Sequence, residues 1–263
     1  MSKELSSNLK IVSLVLPIYN GEKFLRESLN SILNQTFRNF ELIIVDDGST
    51  DKSMDILNGC KDNRIRLIIN KENKGSVYSY NLAIKKAEGK YIAICTQDDI
   101  FHPKRIEKEF GYLEKNKNIF LVGSSAIYID EKGREIKKFR KYENSKLLGW
   151  RLRKSNSIIF PSIMFRNKKV IFDKFCEYNL YYKLLKRGEK LINLPDFLVK
   201  YRVHPNAESI FDKEIQKQLY CKVIKKFKNL KDDTPIIEKI IFIIKLAFHY
   251  LRTFNEKKTL NLR

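Results

Sequence analysis

Apolar and polar positions along the first hundred residues alternate between two periods. Ile11 to Leu16 is a near-continuous apolar run of strand length, followed by Phe24, Leu25, Leu29, Ile32 and Leu33 at helical spacing. Glu41-Leu42-Ile43-Ile44-Val45 predicts a second buried strand, closed by Asp46-Asp47-Gly48-Ser49. Asp51 then stands where it can cap a short helix carrying Met54, Ile56 and Leu57. Ile65 to Ile69 reads as a third strand, Val77 to Ala87 as a third helix, and Tyr91 to Cys95 as a fourth strand. Apolar strands alternating with amphipathic helices predict an α/β fold, with a mostly parallel sheet covered on both faces. In such a sheet, ligands bind beyond the carboxyl ends of the strands.

The pattern is less regular further on. After Pro103, Ile106, Phe110 and Leu113 predict a helix, and Phe120 to Ile129 reads as strand-like. Glu131-Lys132-Gly133 is a turn, and residues 134–156 are basic and poorly periodic, which predicts a loop or mobile segment over the site. Ser157 to Phe165 reads as extended and Leu180 to Leu185 as helical; Lys190 to Val203 reads as short strands broken at Pro195. From Phe211 onward the pattern is helical, interrupted at Asp232-Asp233-Thr234-Pro235. These shifts divide the chain into an α/β domain, 1–210, and a basic helical C-terminal extension, 211–263.

Composition adds limits. With 263 residues and 43% hydrophobic residues, the chain can build a sizeable core. Its four cysteines, Cys60, Cys95, Cys176 and Cys221, lack zinc or redox spacing and read as reduced thiols. The opening stretch MSKELSSNLK is polar, and the most apolar run, Ile236 to Phe248, is interrupted by Glu238, Lys239 and Lys245. A cytoplasmic protein is therefore expected, with peripheral attachment to the inner face of the membrane as a further possibility.

The net charge of +21, from 52 Lys+Arg against 31 Asp+Glu, has two readings. One is a solvated lysine surface; the other is attraction to an anionic membrane or phosphorylated substrates. Nucleic acid is not expected as a partner, since no helix-turn-helix, zinc or RNP signature accompanies the charge. Nicotinamide dehydrogenase chemistry is disfavoured, because Pro17-Ile18-Tyr19-Asn20-Gly21 lacks a glycine cradle.

The chemistry sits at two strand ends. Asp46-Asp47 and Asp98-Asp99 place up to four negative charges beyond what the pattern reads as adjacent strands. Such pairs can be turn formers and helix caps. Together, in one crevice, they favour a bound cation and hydrogen-bond donors, which a sugar nucleotide with Mn2+ or Mg2+ supplies.

Several runs resemble family 2 glycosyltransferases of the GT-A fold. They are Ile11-Val-Ser-Leu-Val-Leu-Pro-Ile-Tyr-Asn20, Ser31-Ile-Leu-Asn-Gln-Thr-Phe37, Phe40-Glu-Leu-Ile-Ile-Val-Asp-Asp-Gly-Ser-Thr-Asp51, Asn73-Lys-Gly75 with Asn81, and Glu88-Gly-Lys-Tyr-Ile92 leading to Gln97-Asp-Asp99. The resemblance spans about residues 10 to 205. It implies a GT-A, Rossmann-like sheet and an inverting transferase that uses a UDP- or dTDP-sugar. The acceptor implied is a glycan or lipid-linked molecule in bacterial surface polysaccharide synthesis.

By the same resemblance, Asp47 contacts the base beside Pro17 and Tyr19, with Asp46, Asn73, Gly75 and Gln97 completing the nucleotide-sugar site. Asp98 ligates the divalent cation and Asp99 supports it. Thr96 stands where the family carries the first acid of its D-x-D motif, and Tyr80 replaces an Arg. Cys176-Glu177-Tyr178-Asn179-Leu180 matches the E-D-Y-D-L-like stretch, so Glu177 falls at the catalytic-base position. Tyr201-Arg202-Val203-His204 resembles the family's Y-R-x-H element, with His204 facing diphosphate or metal and Arg202 pairing with phosphate or an acid. The departures at Thr96 and Glu177 motivate an alternative, a nucleotide-sugar-binding or scaffold protein without turnover. In the tail, Glu238, Lys245, His249 and Arg252 share one helical face against Ile236, Ile240 and Phe248. That helix suits a membrane interface, packing on the catalytic domain, or a homo-oligomer contact.

Overall fold

The computed structural model describes residues 10–140, 144–153, 155–168, 170–173 and 177–205, with short pieces of the tail at 221–223, 225–226, 230, 235–237 and 240. Four strands form the parallel part of the sheet: β1 (Val12–Ile18), β2 (Phe40–Asp46), β3 (Ile65–Ile69) and β4 (Tyr91–Ile94). Between them run α1 (Leu25–Leu33), α2 (Ser53–Asn58) and α3 (Ser76–Lys86). The remaining elements are β5 (Ile100–Phe101), α4 (Arg105–Lys115), β6 (Ile119–Ile129), β7 (Glu135–Phe139), α5 (Ser145–Leu152), β8 (Met164–Arg166), α6 (Glu177–Lys186) and β9 (Lys190–Arg202). The nine-stranded sheet has the order β3-β2-β1-β4-β8-β6-β9-β5, with β7 paired to β6.

The strands are apolar without alternation because both faces are covered. Leu14, Leu16, Leu42 and Ile44 enter one core, while Val15, Ile43 and Val45 enter the other. Each such side chain, removed from water, contributes about 1.5–3 kcal/mol before its ordering entropy is subtracted. β8 runs antiparallel to both β4 and β6, which makes β6 parallel to β4, and β9 is parallel to β6. The exits of β1, β2, β4 and β9 therefore share one edge of the sheet, where the site is built.

Four expectations change. β2 and β4 are not adjacent; β1 lies between them, so the acidic tips are separated by two strand spacings of about 4.8 Å each. Residues 134–156 hold β7 and α5 in place of a loop, since β7 pairs with β6 and Asn144 caps α5 by accepting from the Leu147 N–H at 2.9 Å. The stretch read as extended contains a single 3-10 turn at Phe160–Ser162 before β8. Finally, Pro195 does not break β9. Register passes from Ser124↔Leu194 to Ser125↔Phe197, so Pro195 and Asp196 bulge out where the missing N–H has no ladder partner to fail.

Most of the C-terminal extension lies outside the described residues, including the face carrying Glu238, Lys245, His249 and Arg252. Val223 is buried in the same core as Tyr178, Tyr181 and Leu184 of α6, and the Leu230 carbonyl accepts from Arg153 at 3.2 Å. Ile236, Ile237 and Ile240 are exposed.

Candidate active site

Three loops meet at the carboxyl edge: 17–21 after β1, 46–51 after β2, and 96–99 after β4. The central loop is stitched to both flanks. Gln97 clamps the Tyr19 backbone, accepting from its N–H at 2.9 Å and donating to its carbonyl at 3.1 Å. Asn20 donates its N–H to Ser49 Oγ and accepts from the Thr50 N–H. Asn20 has φ +47°, a left-handed conformation that asparagine tolerates in a tight turn. Pro17 is half-buried and the Tyr19 side chain is exposed, so both can line an open pocket.

Asp46 and Asp47 are almost fully buried. Asp47 accepts from Asn70 Nδ2 at 2.6 Å, the Gly75 N–H at 2.8 Å and the Lys74 N–H at 3.1 Å. Asn73 Oδ1 also accepts from the Gly75 N–H, at 2.9 Å. Gly75 has φ +89° and opens α3. The carboxylate thus folds the 73–75 loop over the end of β3. Asp46 accepts from the Ser49 N–H through Oδ2, while its buried Oδ1 has no hydrogen-bond partner.

The second acidic tip divides its labour. Asp99 is buried and occupied, accepting from Thr96 Oγ1 at 2.5 Å and from the Arg202 N–H at 2.8 Å. Burial raises its carboxyl to about 7, against the opposing Thr96 and Arg202 hydrogen bonds. Asp98 is only partly buried, with Oδ2 3.3 Å from His204 Nε2. Burial raises the Asp98 carboxyl also, and His204 works in the other direction. His204 Nε2 is buried and makes no aligned hydrogen bond.

Arg202 does not reach the cleft. It is 3% exposed and spends its guanidinium on the carbonyls of Asp98, Asp130 and Glu131 and on Glu27 Oε2, the last at 2.5 Å. Of its two expected partners, the acid is present: Glu27, whose side chain is more than half exposed. Phe24 lies under this bracket, 4.6 Å from the Arg202 guanidinium and 4.9 Å from the His204 ring.

Glu177 opens α6 and accepts from Asn156 Nδ2 at 3.1 Å. Asn156 lies before β8, whose first residue pairs with the end of β4. Sequence reasoning missed Asn70, Glu27 and Asn156. Asn70 left a trace, as a polar residue ending an apolar strand in the way Asp46 ends β2.

Among the described residues, no cluster of three or more His, Cys, Asp or Glu forms a metal cage. The pair Asp98–His204, with an unsatisfied buried imidazole nitrogen, nonetheless fits a divalent cation whose other ligands are water and substrate phosphate.

The sequence profile described as Glycosyl transferase family 2 matches residues 13–175. The chain belongs to glycosyl transferase family 2. This family 2 glycosyltransferase is 36% identical over 220 residues to an uncharacterized glycosyltransferase of Haemophilus influenzae, covering 77% of this chain and 68% of the relative. It is 37% identical to an uncharacterized glycosyltransferase of Methanocaldococcus jannaschii, over 76% and 72% of the two chains. Residues 1–349 of Staphylococcus aureus TarS, solved with UDP-GlcNAc, superpose at TM-score 0.67 with 20% identity, covering 84% of this chain and 68% of TarS. The mannosyltransferase PcManGT from Pyrobaculum calidifontis, solved with GDP-Man and Mn2+, gives 0.63 with 16% identity, over 84% and 65%. The fold is accordingly GT-A, and the family 2 enzyme carries the acidic tips at its open edge.

Proposed function

We propose that this glycosyltransferase is inverting and moves a sugar from a UDP-type or dTDP-type donor to a glycan or lipid-linked acceptor in bacterial surface polysaccharide synthesis. The observation that carries the reading is the Asp98–His204 pair at 3.3 Å, on the same sheet edge as Asp46-Asp47. Two acidic tips about 10 Å apart suit a diphosphate and its sugar on one side and a base on the other. The TarS complex with UDP-GlcNAc and the PcManGT complex with GDP-Man and Mn2+ lend support, as folds of this kind holding sugar nucleotides.

In this mechanism Pro17 and Tyr19 line the base pocket, and Asp47 accepts from the base while holding Asn73 and Gly75 in place. Asp46, Thr96, Gln97 and Asp99 shape the ribose and diphosphate side, Gln97 by fixing Tyr19 and Asp99 by fixing Thr96. Asp98 and His204 are the residues that would hold Mn2+ or Mg2+, which when bound offsets charge on the departing diphosphate. Glu177 takes the acceptor hydroxyl proton as that oxygen bonds to the anomeric carbon and the bond to the diphosphate oxygen breaks. Arg202 acts through Asp98 and Asp99, whose backbone and side chain it holds.

A panel of UDP-, dTDP- and GDP-sugars, read by nucleoside diphosphate release, tests the proposal. Release that falls at least about 100-fold in Glu177→Gln with donor affinity retained is the expected result. The occupied Thr96 hydroxyl and the Asn156–Glu177 bond favour one other reading, a sugar-nucleotide-binding protein without turnover. Tight donor binding with no release across the panel and with added acceptors selects it.

Among the described residues no helix is long and apolar enough to cross a membrane. The charge of +21 and the exposed Ile236, Ile237 and Ile240 support peripheral attachment to an anionic membrane surface. Flotation with anionic liposomes that is lost on deleting residues 234–263 is the expected result, and unchanged flotation removes this part of the reading.

A further inference from the structure

We infer that Asn81 is a positioning residue that ties the acceptor-side base to the donor site. Its side-chain amide grips the Phe172 backbone at both ends: Nδ2 donates to the Phe172 carbonyl at 2.8 Å, and Oδ1 accepts from the Phe172 N–H at 2.7 Å. The amide thus imitates a strand neighbour for one residue of irregular chain. Phe172 lies in the short segment that leads into α6, five residues before Glu177.

The adjoining residue completes the connection. Asp173 accepts from Asn179 Nδ2 and, at 2.6 Å, from Lys183 Nζ, so the segment is pinned to α6 as firmly as to α3. On the donor side, Tyr80 donates its hydroxyl to the Cys95 carbonyl at 2.9 Å, directly before Thr96. The Tyr80 ring also packs edge-on against Phe160 and Phe172, with centroids 5.2 and 5.8 Å away. One turn of α3 therefore contacts both the strand end that carries Asp98 and the segment that presents Glu177. Without the two Asn81 hydrogen bonds, the 170–173 segment keeps its ring contacts but loses its fixed height above α3. A shift of about 1 Å at Glu177 is enough to cost on the order of 100-fold in rate.

The inference rests on the proposed role of Glu177 as base, and the test separates the two. Asn81→Ala is expected to lower transfer kcat by about 10- to 100-fold while donor KM and UDP affinity by calorimetry change less than about 3-fold. Isosteric Asn81→Asp keeps the acceptor and the volume but turns a carboxylate oxygen toward the Phe172 carbonyl. It should show the same split, and it decides the matter if the alanine variant does not fold. Wild-type kcat in whichever variant folds overturns the inference, as does an equal loss of UDP affinity and kcat. Glu177→Gln serves as the reference. If it keeps transfer while the Asn81 variants lose it, the base assignment falls and the inference falls with it. If it loses transfer and the Asn81 variants do not, the base assignment stands and the inference alone falls.

Discussion

His204 Nε2 sits 3.3 Å from Asp98 Oδ2, although the two residues leave the sheet from different strands, β9 and β4. β8 and β6 separate those strands, and the parallel sense of β4, β6 and β9 brings both exits to one edge. Phe24, packed against His204 and Arg202, fixes the imidazole from below. Burying a carboxylate and an imidazole costs desolvation, and under the proposed function a bound cation and diphosphate would offset that cost.

Replacing Asp98 should therefore separate stability from activity. Asp98→Asn removes a carboxyl that burial already holds above its usual range, so its melting temperature should be no lower than wild type. Metal-dependent nucleoside diphosphate release should fall at least about 100-fold. Thermal melts and a release assay across a Mn2+ titration check both halves. Undiminished release removes Asp98 from the metal site.

Asp47 holds the 73–75 loop and, in the proposed function, also meets the base, so Asp47→Asn should show both losses. The new NH2 group would face the N–H donors of Lys74, Gly75 and Asn70. A stability loss of about 1–3 kcal/mol is expected from unsatisfied buried donors. Urea denaturation measures it, and calorimetry with UDP should show affinity reduced about 10-fold or more.

Gly89 is required by close backbone approach. A Cβ there would lie 2.6 Å from the Ser13 N and 2.8 Å from the Val12 carbonyl carbon, and neither can yield without moving β1. Gly89→Ala should destabilise by about 2 kcal/mol or more. Gly111, in α4, is the control, since a Cβ there meets nothing within 4 Å. Gly111→Ala should stabilise by about 0.5–1 kcal/mol through the helix backbone. Paired denaturant midpoints test the contrast.

Glu114 provides a pH signature away from the site. Hydrogen bonds from Lys117, Lys90 and Tyr91 lower its carboxyl to about 2, below the ordinary 4.5. Because the folded value is depressed, the stabilisation is present above pH 4.5 and lost as pH falls toward 2. The melting-temperature gap between wild type and Glu114→Gln should be constant from about pH 6 to 8 and should close through that acid window. A gap independent of pH would show that the charge of Glu114 contributes nothing.

The legible part of the fold was the part made of local pattern. β1 to β4 and α1 to α4 were readable because buried parallel strands and amphipathic helices carry strong, short-period signals. β5, two residues long, and β8, three residues long, carry no period of their own and exist through pairing with β9, β4 and β6. β7 was hidden for a related reason. Its Glu135–Phe139 stretch is exposed almost throughout, so no face was apolar enough to mark it. The strand β9 was read as broken because Pro195 normally ends a ladder, and the bulge that absorbs it depends on the partner β6.

The sequence alone named the candidate residues: the Asp pairs at 46–47 and 98–99 close apolar strands, and Glu177 and His204 stand in runs that resemble family motifs. Tertiary structure decided how those residues are used. It put β1 between the two acidic tips, buried Asp99 and Arg202 in mutual support, and set Asp98 against His204. Strand order, burial and partner choice arise from contacts between residues far apart in the chain, and local spacing carries no record of them.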